Sequence, residues 1–489
     1  MEQKMPGKKN TIINIAVIGG GWYGGHTALE ISKWAKEMFK GANFRVVVTL
    51  YEKNDKILDA TSGNFGVRLH LGPHYPRSGE TRESCIRGTG KFLETYSELV
   101  TKHGQSLYAV GDQDIDGNTS KVSAEAFNAL VVEHSSFKIK DPSEFKEYQH
   151  LETILDTDER SIVVGSKLRD PFMGYLQKEN VEIKLNTEIE KIVTNADGKM
   201  FVTTKGGAAA EFHAVINATS YQRFVPDRPL LFGMEIVYQS CIGLLYEDMQ
   251  EEEKGPANPL IIMDGWFPCM VHYDNEGEKG RSRFLLTHAK LTNLNSCKTA
   301  EEARTLLSQE LATPGFLPKI EESAREHMTR FYPEFSERFK FIKCLDTVHA
   351  KVSSNTDFRE AVVFQDKESN IIHIVPGKIA NVGDAAEDIL KLLSPVLCPE
   401  LSNGQILSEN GYQYVDGGTL SRSKKEVAEK PIDPSRSTYS LQTGVQILIR
   451  IGSPGFFEKE LTPRRADEVE QLASLNGGCD RTTIYARIT

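Results

Sequence analysis

Apolar and polar positions divide this chain into short strand-like runs alternating with helical stretches, a pattern that holds up to about residue 395. Residues 13–18 and 44–52 are nearly continuous apolar runs rich in β-branched side chains, as expected for strands covered on both faces. A helical pattern from His26 fills the space between them and stops at the breaker 41–43. Residues 81–103 carry Phe92, Tyr96 and Leu99 at helical spacing. After them, 107–111 reads as a strand and 123–133 as a short helix capped by Ser123 with Glu125 in its first turn. The alternation returns over 162–220, with a helix at 167–179, strands at 181–185, 187–193 and 200–205, and a buried strand at 213–219 ending in small polar residues. From 231 to about 351 the strands lengthen and are separated by polar turns, which predicts a sheet-rich second domain with a helical insert at 300–331. A strand at 371–378 and an apolar helix at 385–393 follow. Beyond Pro395 only 445–451 and 462–475 look ordered, and no internal repeat is visible.

The turn after the first strand reads Gly19-Gly-Gly-Trp-Tyr-Gly24, a GxGxxG loop between strand and helix, and Glu52 closes the second strand. The three glycines act differently: Gly19 permits the tight turn, Gly21 lets a pyrophosphate approach the backbone, and Gly24 lets helix pack on strand. The helix N-terminus then offers free N–H groups and the positive end of its dipole to phosphate. Glu52 is positioned to accept hydrogen bonds from an adenosine ribose, although it lies further from Gly24 than the usual spacing of about 20 residues. A longer helix and loop, ending at the breaker, accounts for the excess.

Length and charge narrow the setting. At 489 residues the chain exceeds what one core usually supports, so two interleaved domains or a domain with an appendage are expected. Hydrophobic residues at 39% and charged residues at 26% describe an ordinary globular protein. A net charge of −10 with no basic face argues against a nucleic-acid partner. No apolar run approaches the roughly 18 residues that span a bilayer, and no cleavable apolar segment precedes the first strand. The seven cysteines are odd in number and scattered without a CxxC, which predicts no metal centre and a reducing, cytoplasmic setting.

With the loop Ala60-Thr-Ser-Gly-Asn64 through Arg77, the chain resembles the FAD-dependent oxidoreductases of the D-amino acid oxidase type, a group that includes glycine, sarcosine and 2-hydroxyglutarate oxidase relatives. Four matches carry the resemblance in order: the glycine fingerprint with Glu52, the Thr61–Tyr75 loop, the strand Val215-Ile-Asn-Ala-Thr219, and Val375-Pro-Gly-Lys378 before a final helix. The resemblance implies an α/β fold in which a Rossmann-like FAD-binding domain (11–91, 161–222, 356–395) interleaves with a mixed-sheet substrate domain (92–160, 223–355), the glutathione-reductase-like flavoprotein architecture. Residues 396–489 lie outside it as an extension of unknown role. It further implies FAD as cofactor, contacted by Gly19, Gly21, Trp22, Tyr23, Gly24, Glu52 and Lys53, by Thr61, Ser62, Asn64, Arg68 and Leu69, by Ile192 near the adenine, by Ala218 and Thr219, and by Gly377, Lys378 and Ile379.

Arg68, His70, His74, Tyr75 and Arg77 crowd the segment where the flavin ring should lie. His70 or His74 is the candidate acid/base, because histidine titrates nearest working pH, with a structural hydrogen-bonding role as the alternative for each. Tyr75 belongs to the same group. Lys378 would stabilise negative charge at flavin N1 and O2, or else be a solvated loop lysine. Arg359 is the candidate anchor for a substrate carboxylate, its planar fork matching that group; His272 and Tyr273 are further pocket candidates. Cys85 reads as a buried helix cysteine rather than a flavin attachment.

The expected activity is removal of hydride from a C–N or C–O bond of a small or medium polar substrate, with electrons passing to oxygen or another acceptor. Gly383-Asp384 offers a second reading, an NAD(P)H-using flavoprotein monooxygenase. A third is a non-catalytic FAD-binding regulatory protein whose tail recruits a partner. Oligomeric state is left open.

Overall fold

The computed structural model describes residues 11–41, 44–65, 67–250, 255, 257–274, 280–353 and 359–397, and beyond them the strands Ile406–Glu409, Tyr412–Val415, Arg436–Ser440, Gln446–Ile451 and Thr482–Arg487. The segment 462–475, expected to be ordered, lies outside the described residues.

Two large sheets organise the chain. In the first, Glu182–Lys184, Phe44–Tyr51, Thr11–Ile18, Ala214–Asn217 and Ile372–Val375 run parallel in that spatial order. Their apolar runs are continuous because helices cover the sheet: Ile15, Ala16, Val17, Val48, Leu50, Val215 and Ile216 are all buried in one core with residues of Trp22–Met38, Ser166–Lys178 and Val382–Leu397. Val362–Asp366 adds an antiparallel strand, and the hairpin Ile406–Glu409 and Tyr412–Val415 extends that edge. Part of the region set apart from sequence as an extension is therefore built into the main sheet.

The second sheet is nine-stranded and mixed, centred on the long antiparallel pair Ile236–Asp248 and Phe339–Val352. The helices Ala300–Ala312 and Phe316–Phe331 form the insert expected there. Elsewhere the boundaries differ from the sequence reading in ways that local physics explains. The helix expected from 81 begins at Gly79, where the Ser78 hydroxyl accepts from the Thr81 N–H and caps it, and ends at Tyr96 before a tighter turn, Ser97–Leu99. The segment from 60 to 77 contributes a single helical turn, Thr61–Asn64, and the two-residue strand Arg68–Leu69, paired with Arg160–Ile162, and His70 lies beyond that strand.

The first turn of Trp22–Met38 fixes the geometry between strand and helix. Gly19 has φ +109, a left-handed conformation open to glycine, and its N–H donates to the Tyr51 carbonyl at 2.8 Å. A Cβ at Gly24 would lie 1.8 Å from the Gly19 carbonyl oxygen, so helix and turn meet at backbone contact. Gly24→Ala should therefore lower stability by about 3 kcal/mol, since neither backbone can yield cheaply. Gly90→Ala, on the open face of another helix with nothing within 4 Å of the new methyl, should be neutral or stabilising by about 0.5–1 kcal/mol. Urea midpoints of the two variants test this; a Gly24→Ala midpoint equal to wild type would mean that the helix can slide off the turn.

Candidate functional site

A cavity of about 710 Å³ opens at the carboxyl ends of the parallel strands, where Ile18, Tyr51 and Ala218 line it. Its floor is the glycine turn. The Glu52 carboxylate accepts from the Gly20 N–H at 2.8 Å and from the Asn54 N–H at 2.9 Å, which locks it across the end of the second strand. Ser62 Oγ accepts from the Trp22 N–H at 3.1 Å, so an oxygen already sits at the first amide of the helix. A Cβ on Gly21 would stand 2.9 Å from that same oxygen. Bare amides at a helix N-terminus, a glycine that keeps the approach clear and a fixed carboxylate beside it are the donors and acceptor that an adenosine diphosphate group requires.

Of the residues singled out from sequence, Gly19, Gly21, Trp22, Tyr23, Glu52, Lys53, Thr61, Ser62, Asn64, Ala218 and Thr219 line this cavity. Gly24 lies behind it as the packing glycine. Others fall elsewhere. The Trp22 indole is 2% exposed and packs among Phe92, Tyr96 and Phe172, so this residue meets the cavity as the edge of the core. Leu69 is fully buried in the same core. Ile192 sits further along the hairpin Ile189–Thr194 and Met200–Thr204 and does not line the cavity; Thr187, Glu188 and Ile189, at the start of the hairpin, do. Arg68, Gly377, Lys378 and Ile379 also do not line it.

These last residues, Leu69 and Ile379 excepted, belong to a packed basic and aromatic cluster beyond Tyr23. The rings of His70 and His74 are 5.5 Å apart, His74 meets Tyr75 at 5.0 Å, and Lys378 Nζ lies 4.8 Å above the Tyr75 ring. Tyr23 joins cluster to cavity: its hydroxyl donates to the Lys378 carbonyl at 2.6 Å and accepts from the Gly377 N–H at 3.0 Å. Gly377 is required there, because a Cβ would come within 2.3 Å of the Ala361 nitrogen. The Lys378 N–H donates to the Arg359 carbonyl at 3.0 Å, which brings that arginine to the same place. Ile379 instead opens a short turn and packs on the core.

Charge in the cluster is set by dryness and by an excess of cations. Burial, then Arg68 and Lys378, hold His70 well below the usual imidazole value, and burial with the same two cations does so for His74. Both rings are therefore neutral at working pH, and each has an Nδ1 with no hydrogen-bond partner among the described residues. Burial, followed by the charge of Arg359, draws Lys378 down to about 7. His349 is held at about 3 by burial and by Lys351 and Lys378. A buried carboxylate counters this field: Glu159 accepts from Tyr108 at 2.6 Å and from the Leu71 N–H at 2.9 Å, with Arg68 Nε 3.5 Å away. Glu159, Tyr108 and His349 carry no motif and were not identified from sequence.

The remaining candidates resolve plainly. Burial pushes the Cys85 thiol up to about 12, leaving it a poor nucleophile. Asp384 lies in the first turn of Val382–Leu397 and pairs with Lys91 at 2.7 Å and Arg87 at 3.2 Å, away from the cavity. Tyr273 is buried in the second sheet's core and the His272 ring lies tilted against that of His103, 4.9 Å between centroids; neither lines the cavity.

Fold and cavity together define a two-sheet dinucleotide-binding protein of the doubly wound type. The chain belongs to the FAD dependent oxidoreductase family, whose model matches residues 14–235. It is 35% identical over 441 residues to the FAD-dependent monooxygenase kojA of Aspergillus flavus, covering 90% of this chain and 98% of that protein. It is 27% identical over 382 residues to an FAD-dependent monooxygenase of Fusarium mangiferae, covering 78% and 91%. Among solved structures, the L-alpha-glycerophosphate oxidase of Mycoplasma pneumoniae with FAD bound superposes with a TM-score of 0.54 at 16% identity, over 78% of this chain and 95% of that one. The glycine oxidase of Geobacillus kaustophilus gives 0.53 at 12%, over 79% and 95%. The protein is thus an FAD-dependent oxidoreductase of the D-amino acid oxidase type, and the glycine cradle, the fixed Glu52 and the cavity fit that cofactor. Among the described residues no helix is long and apolar enough to cross a membrane, and no group of three or more metal-ligating side chains forms.

The low proton affinity of Lys378 has a stability consequence. Between about 7 and the ordinary lysine value of 10.5 the unfolded chain holds a proton that folded Lys378 has released, so this group makes stability rise with pH across that window. Measured on flavin-free protein, wild type should gain stability relative to Lys378→Met as pH climbs from 7 towards 10. A difference that stays flat would mean that Lys378 is an ordinary solvated lysine.

Proposed function

We propose that this protein oxidises a C–N or C–O bond of a small or medium polar substrate, an amino acid, amine or hydroxy acid, by hydride transfer to flavin N5. The observation that carries the reading is Lys378, set above Tyr75 and close to two neutral histidines in the cluster beyond Tyr23, with a proton affinity near neutrality. Bound FAD supplies the two-electron acceptor. The chain's own residues handle protons and charge. In its neutral form Lys378 accepts the proton released from a substrate N–H or O–H; as ammonium it stabilises negative charge nearby. His70 and His74, kept neutral, orient polar groups through their open nitrogens, and Arg359 pairs with a substrate carboxylate. Tyr23 sets the position of Lys378 through the backbone on both sides of it. The five described cysteines are free, in keeping with a reducing, cytoplasmic setting. The partners are then the substrate and an electron acceptor, oxygen or another.

A second reading is favoured by the curated relatives, which are named as monooxygenases: reduction by NAD(P)H followed by oxygen insertion into the substrate. The Gly-Asp pair at 383–384 no longer supports it, since Asp384 is engaged by Lys91 and Arg87.

The visible spectrum of the purified protein, followed anaerobically while pooled amino acids, hydroxy acids, amines and then NAD(P)H are added, separates the two. Flavin bands bleached by one donor pool, and bleached at least tenfold more slowly in Lys378→Met, are expected. Bands that resist every donor and bleach with NAD(P)H establish the monooxygenase reading, and bands that resist both leave a regulatory flavoprotein.

A further inference from the structure

The helix Ala300–Ala312 has no part in the glycine fingerprint, yet one of its faces closes the cofactor cavity. Arg304, Leu307, Ser308 and Leu311 line it at i, i+3, i+4 and i+7, a single stripe. Leu307 is buried, whereas Arg304 and Ser308 are exposed at the mouth. The helix is held in place from several sides. Thr299 caps it by accepting from the Glu302 N–H at 3.2 Å, and Ser240 Oγ donates to the Ala303 carbonyl at 2.9 Å. Gln222, in the loop that follows Ala214–Asn217, accepts from the Arg304 guanidinium and donates to the Val348 carbonyl at 2.8 Å. One amide thus ties the cofactor loop to this helix and to the long strand of the second sheet.

Charge decides what the stripe is for. The cation beside it, Arg223, is already paired with Glu188 and lies 5.3 Å from the Phe224 ring. Arg304 donates to a neutral amide instead. On the glycine side Lys53 is matched in formal charge by its neighbour Glu52, which leaves the helix terminus, roughly half an elementary charge, against one negative charge on each phosphate of a dinucleotide. Most of that charge is left unbalanced on the glycine side.

We propose that Ala300–Ala312 is the second jaw of an FAD clamp, with Arg304 and Ser308 binding the diphosphate from the side opposite the glycine turn and Leu307 and Leu311 covering it from water. A guanidinium suits phosphate because it presents paired donors in one plane. The clamp rests on the family's cofactor and goes beyond the fingerprint: bound FAD bridges the two large sheets, because this helix belongs to the second.

The test is binding rather than turnover. Flavin-free full-length protein is titrated with FAD by fluorescence quenching and with ADP by calorimetry, for wild type, Arg304→Glu, Arg304→Lys, Ser308→Asp and the control Lys319→Glu on the exposed side of the next helix. Arg304→Glu and Ser308→Asp should each weaken both FAD and ADP by about tenfold or more, the worth of one charge-assisted hydrogen bond. Arg304→Lys should recover most of the affinity, and Lys319→Glu should match wild type. Ser308→Asp keeps the test open if Arg304→Glu fails to fold. Unchanged FAD affinity in the charge variants, equal weakening by Lys319→Glu, or weakening of FAD with ADP untouched each overturns the clamp. Wild-type protein that takes up neither ligand removes the cofactor reading itself and the clamp with it.

Discussion

The backbone contact between Gly24 and Gly19 is the constraint on which the rest of the site depends. With a Cβ excluded at 1.8 Å, the first helix starts hard against the turn, and Gly21, Trp22 and Tyr23 at its start line the cavity. The same turn of helix carries Tyr23. Its hydroxyl holds the 377–378 segment through two backbone hydrogen bonds, so the residue beside the packing glycine also fixes the lysine in the cluster behind the cavity. Two buried hydrogen bonds of this kind are worth roughly 1–3 kcal/mol together, small against the whole fold but concentrated on one segment. Cofactor cradle and candidate chemistry are thereby one mechanical unit.

Beyond Tyr23 the protein gathers cations in a dry place. Arg68, Lys351, Arg359 and Lys378 all act on the histidines or on each other, and Glu159 is a buried carboxylate that counters them. Desolvation alone would neutralise a buried imidazole; neighbouring positive charge makes that neutrality firm. The result is two histidines held neutral, each with an Nδ1 that no described residue engages, and a lysine that gains or loses its proton near neutrality. This division of labour suits a site where negative charge arrives with substrate or develops during oxidation.

The two sheets share a core in which Val362, Phe364 and Val375 pack with Tyr238, Ile242 and Val348, and polar links add to it at the cavity. Thr61 and Thr347 share a hydroxyl hydrogen bond across it, and Gln222 links loop, helix and long strand. The strands Ile406–Glu409 and Tyr412–Val415 extend the outer edge of the first sheet beside Val362–Asp366, which pairs in turn with Ile372–Val375, the strand that leads into the 376–378 segment.

The parallel sheet, the glycine turn with Glu52, the helical insert and the family were legible in the chain alone. These rest on short-range facts: continuous apolar runs for strands buried on both faces, and left-handed or crowded positions that only glycine fills. Crowding and the family resemblance also brought His70, His74, Tyr75 and Lys378 forward as chemistry. Which residues face the cavity was settled by packing. Ile189 rather than Ile192 lines it because the cavity meets the start of the strand they share, together with Thr187 and Glu188, and Trp22 turns into the core because Phe92, Tyr96 and Phe172 converge there from distant segments. Glu159, Tyr108, His349 and the stripe on Ala300–Ala312 had no local signature at all. Their roles come from charge and shape complementarity between segments far apart in the chain, and no local pattern encodes that until the two sheets pack together.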